Sequence, residues 1–152
     1  MRITLAAVGK AKAGVARELY DHYGARLRWP LALKEVEERR PLKPEILKEN
    51  EGELLLAALP RDARVIALDE GGKDFSSRDF ATLLGRWRDE GVQDLAFMIG
   101  GADGLSKAAR QAADVTLCLG RMTWPHMLVR GLLAEQLFRA ESILSGHPYH
   151  RD

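Results

Sequence analysis

The last six residues of the chain, "HPYHRD", carry side chains that could take part in catalysis. Tyr149 offers an aromatic ring on which a nucleobase can stack. His150 can accept or donate a proton near neutral pH, and Arg151 can stabilise an anion. Side chains of this kind are costly to order at a chain end, where packing is usually poor. This tail, His147–Asp152, is therefore either without a role or one wall of a functional site, and the rest of the sequence must decide between the two.

Three of the four histidines, His126, His147 and His150, lie within the final 27 residues. His147 and His150 form an H-x-x-H pattern, but a catalytic zinc would need a third ligand in register, so we expect no metal. His126 opens a predicted helix and could be either a proton acceptor or a partly buried imidazole. Arg130, one turn later, could stabilise an anion.

The stretch "IGGADGLS" places Gly100, Gly101 and Gly104 in a predicted strand-to-helix turn. Glycines allow positive φ and let backbone N–H groups approach a ligand closely. The spacing is not G-x-G-x-x-G, and no G-K-[ST] follows, which disfavours dinucleotide and triphosphate sites. A ligand loop and a tight structural turn both remain open.

Two further stretches have a structural interpretation beside a catalytic one. In "ALDEGGKDF", Asp69 and Glu70 could be catalytic acids, but acidic residues before glycines are also good turn formers, and we favour the turn. Cys118 lies in the apolar run "VTLCLG" and is expected to be a small core residue rather than a nucleophile.

The elements that must position these residues alternate along the chain. Five apolar runs with strand character are each followed by a segment of helical period; the runs are "RITLAAVG", "LALKEVEER", "ARVIALD", "DLAFMIGG" and "DVTLCLG". This alternation predicts an α/β fold, a mostly parallel sheet of five to six strands with helices on both faces. Ligands lie at the carboxyl ends of such strands, so "ALDEGGKDF", "MIGGADGLS" and "CLGRMTWPH" should form one pocket.

The bulk composition limits the classes of protein. A length of 152 residues predicts one domain, residues 1–152. The net charge of +1 gives no overall basic field, so a nucleic-acid partner needs a local patch, and DNA is not expected. A single cysteine permits no internal disulfide and suits the cytoplasm. No stretch is long and apolar enough for a membrane span.

The predicted helix from Pro125 to Leu144 is apolar around more than one face. Such a helix at the edge of a small domain cannot bury every apolar side chain against one sheet, which predicts a homodimer contact. Gly131 would let another backbone approach. The alternative is a central core helix.

Three stretches taken together resemble the bacterial RlmH group of SPOUT methyltransferases. They are "IGGADGLS", "MTWPHMLVRGLLAEQLFRA" and the terminal "GHPYHRD". The resemblance runs from "VGK" near the start to the tail, and the final 30 residues are its most specific part.

This resemblance implies a SPOUT-like fold with a C-terminal trefoil knot, an exception to the rule that chains avoid threading. It also implies a homodimer that binds S-adenosylmethionine and methylates N3 of a pseudouridine in 23S ribosomal RNA, on assembled ribosomes. The cofactor contacts that it implies are Leu68, Gly100, Leu119, Gly120, Arg121, Met122, Thr123 and Trp124.

The same resemblance implies roles for the tail, which would reach the cofactor of the other subunit. His150 or His126 would accept the N3 proton, Arg151 or Arg130 would stabilise the resulting anion, and Tyr149 would stack on a flipped base. The sequence departs from the group at Cys118 and Gly120, where serine is common, and at Phe138, where tyrosine is common.

Two rival functions are open at this point. One is a SPOUT methyltransferase that acts on tRNA; the chain shows no appended RNA-binding domain, which disfavours it. The other is a non-enzymatic, dimeric small-molecule-binding module, which would not need the tail.

Overall fold

A computed structural model describes residues 1–152, with five strands and five helices in alternation. The elements are β1 (Arg2–Val8), α1 (Val15–Gly24), β2 (Leu31–Val36), α2 (Pro44–Ala58), β3 (Arg64–Asp74), α3 (Ser77–Asp89), β4 (Asp94–Ile99), α4 (Lys107–Ala112), β5 (Val115–Cys118) and α5 (His126–Ser145). The predicted α/β alternation is confirmed. None of the helices is long and apolar enough to span a membrane.

The five strands form one parallel sheet in the order β2-β1-β4-β3-β5. All carboxyl ends therefore lie at one edge of the sheet, as the sequence predicts. Strand β2 lies on one side of β1, and the later strands lie on its other side. Open parallel sheets often bind ligands near such a change in strand order. The trefoil knot that the resemblance implies stays a prediction, with which this strand order is consistent.

Helices cover both faces of the sheet. One face carries α1, α3 and α5, and its core includes Phe80, Phe97 and Leu137, all nearly inaccessible to solvent. The other face carries α2 and α4 over a smaller core that includes Leu55 and Met98. The starts of α3 and α4 are fixed by Ser76 and Ser106, whose hydroxyls accept N–H bonds three residues on.

Helix α5 lies between α1 and α3 rather than at an edge. A Cβ added to Gly131 would lie 2.7 Å from the side chain of Leu19 in α1, and one added to Gly85 in α3 would lie 2.7 Å from Leu144 of α5. Neighbours on two sides account for the apolar pattern around α5. The close approach at Gly131 comes from α1 of the same chain, and the homodimer contact expected from the apolar pattern stays a prediction.

Strand β3 is longer than its apolar run predicts. It continues through "EGGKD" to Asp74 and pairs with β5 on both sides of a register shift between Leu68 and Lys73. A Cβ at Gly72 would lie 2.6 Å from the backbone carbon of Leu117, so glycine permits this close strand approach. The segment is thus a bulged strand and not the turn that its acidic residues suggest.

Candidate active site

A pocket of about 620 Å³ opens at the carboxyl ends of β3, β4 and β5. The three predicted strand ends meet there, as the parallel sheet requires. Of the eight residues named for cofactor contact, seven line this pocket: Leu68, Gly100, Leu119, Gly120, Met122, Thr123 and Trp124. Arg121 lies in the same loop but is exposed and does not line the pocket.

The glycine turn after β4 folds back on itself. Gly101 and Gly104 form an isolated antiparallel bridge, and Gly104 has a φ of +80°. A Cβ on Gly100 would lie 2.6 Å from the carbonyl carbon of Gly104 and 2.9 Å from the nitrogen of Leu105. Gly100 is therefore required by the turn itself as well as by any ligand that approaches its backbone.

Carboxylates that sequence reasoning treated as turn formers, or did not consider, also line the pocket. Asp69, Glu70 and Asp103 lie on its wall. The Asp69 carboxylate accepts an N–H bond from Gly71 at 3.0 Å and lies 4.0 Å from the guanidinium of Arg110. Asp69 and Glu70 follow the apolar run of β3, and Asp103 lies in the turn after β4; these positions were the available signal for this role.

The loop between β5 and α5 forms the remaining wall. The indole N–H of Trp124 donates to the carbonyl of Leu119 at 3.1 Å and closes the loop on itself. Gly120 has a φ of +94°, a conformation that glycine adopts without the cost other residues incur. Met122 and Trp124 are 75% and 42% exposed, which leaves an apolar surface at the mouth of the pocket.

His126 is the first residue of α5 and lies half-buried on the pocket wall. Its Nε2 would be 3.9 Å from a Cβ built on Gly9, which follows β1. The structure therefore brings His126 to the predicted pocket, where an imidazole can exchange a proton with a ligand.

Arg130 does not reach the pocket. Its side chain is only 2% exposed, and its guanidinium donates to Glu35 at 2.7 Å and to the carbonyls of Val8 and Gly9 at 3.1 and 2.8 Å. A buried and paired cation cannot contact RNA in this arrangement. The catalytic role expected for Arg130 is therefore replaced by a structural one.

The tail runs back along α5 and is packed, which sequence reasoning did not predict. The Tyr149 ring lies edge-on to Phe138 with 4.6 Å between centroids, and its hydroxyl donates to Glu135 at 2.8 Å. The guanidinium of Arg139 lies 4.8 Å from the same ring. Burial of the hydroxyl raises the pKa of Tyr149, and the hydrogen bonds with Tyr23 and Glu135 raise it further. Tyr149 is thus half-buried, with its ring and hydroxyl in contact with α5, and stacking of a base on it stays a prediction.

His150 lies between a cation and an anion. Its Nδ1 is 3.1 Å from a guanidinium nitrogen of Arg139, and its Nε2 is 3.1 Å from Asp152, which also pairs with Arg78. Because arginine only donates, Nδ1 accepts and Nε2 carries the proton. Arg151 is exposed and has no ion pair. None of these tail residues lines the pocket at the strand ends.

The lining of the pocket fits S-adenosylmethionine. Open glycine backbone suits an adenine edge, apolar walls suit its ring, and the carboxylates suit the positive sulfonium and ammonium groups. The volume is within the range of small-molecule sites.

Comparisons with known proteins agree with this site. A family model described as "Predicted SPOUT methyltransferase" matches residues 1–150. A protein named ribosomal RNA large subunit methyltransferase H from Paramagnetospirillum magneticum is 63% identical over 99% of both chains, and one of the same name from Rhodospirillum centenum is 58% identical over the same shares.

Solved structures show the same fold. A probable methyltransferase from Bordetella pertussis has a TM-score of 0.60 at 18% identity, covering 91% of this chain and 95% of that one. A probable methylase family protein from Haemophilus influenzae has a TM-score of 0.61 at 11% identity, covering 99% of this chain and 70% of that one. With a family model that spans nearly the whole length, this chain belongs to the SPOUT methyltransferase family.

Proposed function

We propose that this chain methylates N3 of a pseudouridine in 23S ribosomal RNA on assembled ribosomes, in the bacterial cytoplasm and as a homodimer. Methylation of large-subunit ribosomal RNA is the activity in the names of its relatives at 63% and 58% identity, and S-adenosylmethionine is the methyl donor. The observation that carries the proposal is the convergence of three strand ends on one pocket. A tRNA methyltransferase of this fold would have the same pocket, so the preference for ribosomal RNA rests on the names of the relatives.

S-adenosylmethionine, when bound, supplies a methyl group on a positively charged sulfur. The glycine turn and the loop of Leu119–Trp124 would hold it, and Asp69 and Glu70 would face its positive charge. Most of the rate enhancement in such a transfer can come from fixing donor and acceptor in line. The Trp124–Leu119 hydrogen bond supports this positioning role by fixing one wall.

The acceptor N3 must lose its proton. His126 is the better candidate for accepting this proton, because it lies on the pocket wall. His150 presents a protonated Nε2 and an Nδ1 already engaged by Arg139, which suits a hydrogen-bond donor more than a base. His150 and Arg151 would then stabilise the N3 anion.

The tail can take part only if it comes from a second chain, because no tail residue lines the pocket of its own chain. A homodimer would place the tail of one subunit over the pocket of the other. The exposed Met122 and Trp124 at the mouth of the pocket are an apolar surface suited to such a contact.

The reaction is tested by incubating the protein with labelled S-adenosylmethionine and ribosomes, free ribosomal RNA or tRNA, and locating the methyl group by mass spectrometry. We expect label in 23S RNA of ribosomes, on N3 of one pseudouridine. Label on tRNA, or on another atom, would contradict the proposal.

The composite site is tested by mixing two inactive variants. One carries Gly100→Val in the pocket, and the other carries both His150→Ala and Arg151→Ala in the tail. In a mixed dimer one site combines both defects and the other has neither. Random pairing should restore roughly one quarter of the wild-type turnover. If each site is built from one chain, mixing will restore nothing.

A further inference from the structure

Five arginines have no acidic partner, and two of these five share one groove. Eleven of the 16 arginines have a carboxylate oxygen within 4.0 Å of the guanidinium. The other five are Arg26, Arg28, Arg61, Arg121 and Arg151. In a chain of net charge +1, unpaired arginines mark where positive potential remains.

Two of them, Arg26 and Arg28, lie in a groove of about 480 Å³. The groove is formed by the connection from α1 to β2, the end of α3 and the second half of α5. Arg88 and His147 complete its polar wall, and Trp29 and Phe138 its apolar one. We name these six residues the arginine groove.

No acidic group in or beside the groove forms an ion pair with Arg26 or Arg28. The Glu141 carboxylate already accepts backbone N–H bonds from Trp29 at 2.6 Å and from Arg28 at 3.0 and 3.1 Å. Asp89 pairs with its neighbour Arg88 at 3.0 Å. The Arg28 side chain makes no hydrogen bond, so its donors remain available to a ligand.

The groove is continuous with the tail. The guanidinium of Arg26 lies 4.2 Å from the ring centroid of Phe138 and 5.4 Å from that of Tyr149. A nucleic-acid strand that brings a base to this tail would therefore have the groove within reach of its backbone.

We propose that the arginine groove binds the sugar–phosphate backbone of the substrate ribosomal RNA beside the target nucleotide. Guanidinium groups match phosphate oxygens in two-point hydrogen bonds, and the contact of Arg26 with the ring of Phe138 places its guanidinium for such a bond. The inference rests on the proposed function, since it names the surface that holds the same substrate. It also explains how a chain of net charge +1 grips a polyanion.

The test uses a double variant that carries both Arg26→Gln and Arg28→Gln. The control is the single variant Arg61→Glu. Both changes lower the net charge by two, but Arg61 lies in the turn between α2 and β3, away from the groove. Methylation of ribosomes is measured as a function of ribosome and salt concentration. For the double variant we expect a KM for ribosomes higher by on the order of tenfold, an unchanged kcat, and a salt slope reduced by about 1 per arginine.

Three measurements keep the outcomes separate. Calorimetry with S-adenosylmethionine should give the wild-type affinity. Arg28→Gln alone, which loses no hydrogen bond or ion pair, should also raise KM and serves as the test if the double variant misfolds. An unchanged KM, or an equal rise for Arg61→Glu, would overturn the proposal. A shift of the double variant to monomer in sedimentation would overturn it too, by showing that the groove is a contact between subunits. If wild type methylates another nucleotide, the proposed function fails while the KM comparison still tests the groove.

Discussion

Arg130 is a single buried charge that ties three elements together. It extends from α5 to Glu35 in β2 and to the carbonyl groups at the end of β1. Its Nε is the one buried side-chain polar atom without a hydrogen bond. The residue thus fixes the start of α5, and with it the position of His126 on the pocket wall.

We expect Arg130→Met to destabilise the fold by about 3 kcal/mol, because it breaks a buried ion pair. This value is at the lower end for such pairs, since Glu35 keeps some contact with solvent. Urea unfolding measures the change. Arg86→Met is the matched control, because its pair with Glu90 spans 3.9 Å on the surface and should contribute about 0.5 kcal/mol or less. Equal effects of the two substitutions would contradict this role.

Glu35 makes the stability depend on pH. Burial raises the pKa of Glu35, but hydrogen bonds from the Ala11 N–H and from Arg130 outweigh it, and the net pKa is lowered. The unfolded chain then binds more protons, so this stabilisation is present above the unfolded pKa and is lost as pH falls through the folded pKa. Unfolding measured from pH 7 down to pH 3 should show a smaller loss in Glu35→Gln than in wild type.

Gly100→Ala should weaken binding of S-adenosylmethionine, because the new Cβ would overlap the backbone of Gly104 and force the turn open. Calorimetry measures the affinity. Gly24→Ala is a suitable control, since a Cβ there meets only the Leu31 side chain at 3.7 Å. Unchanged affinity in a folded Gly100→Ala variant would place the cofactor elsewhere.

At the scale of elements, α5 is held by glycine contacts on two sides. The contact with α1 can be tested by whether the stability effect of Gly131→Ala changes sign when the Leu19 side chain is removed. Gly131→Ala alone should destabilise by roughly 1 kcal/mol or more, since its Cβ would lie 2.7 Å from Leu19. A Leu19→Gly background also removes the Leu19 Cβ, which would lie 3.0 Å from the new Cβ, so the same substitution should there stabilise because alanine favours helix. Thermal unfolding of the four variants measures the coupling, and the same sign in both backgrounds would contradict the contact.

The elements and the pocket were predictable because they follow from local patterns. Apolar runs set the strands, and a parallel sheet brings their carboxyl ends together whatever the details of packing. The roles of Arg130 and Tyr149 were not predictable, because each depends on partners distant in sequence, such as Glu35 and Tyr23. The extra length of β3 was missed because its pairing with β5 depends on Gly72 meeting Leu117.

At the scale of the whole molecule, the proposed site needs two chains. We expect sedimentation at micromolar concentration to give a dimer. The contact should include the exposed side chains at the mouth of the pocket, so Met122→Glu should shift sedimentation toward monomer while circular dichroism shows a chain that is still folded. A monomer at this concentration would contradict the composite site, because the tail would have no pocket within reach.

The strand order also determines when the chain can fold as it is synthesised. Strand β1 pairs with β4, whose Asp94 binds Arg2 across 92 positions, and β3 pairs only with β4 and β5. At about 5 to 20 residues per second, the ribosome releases β1 several seconds before β4. Until β4 leaves the exit tunnel, the β1–β2 pair and β3 have no strand joining them, so a nascent chain stopped before Asp94 should be sensitive to protease, and folding should begin only near the end of synthesis.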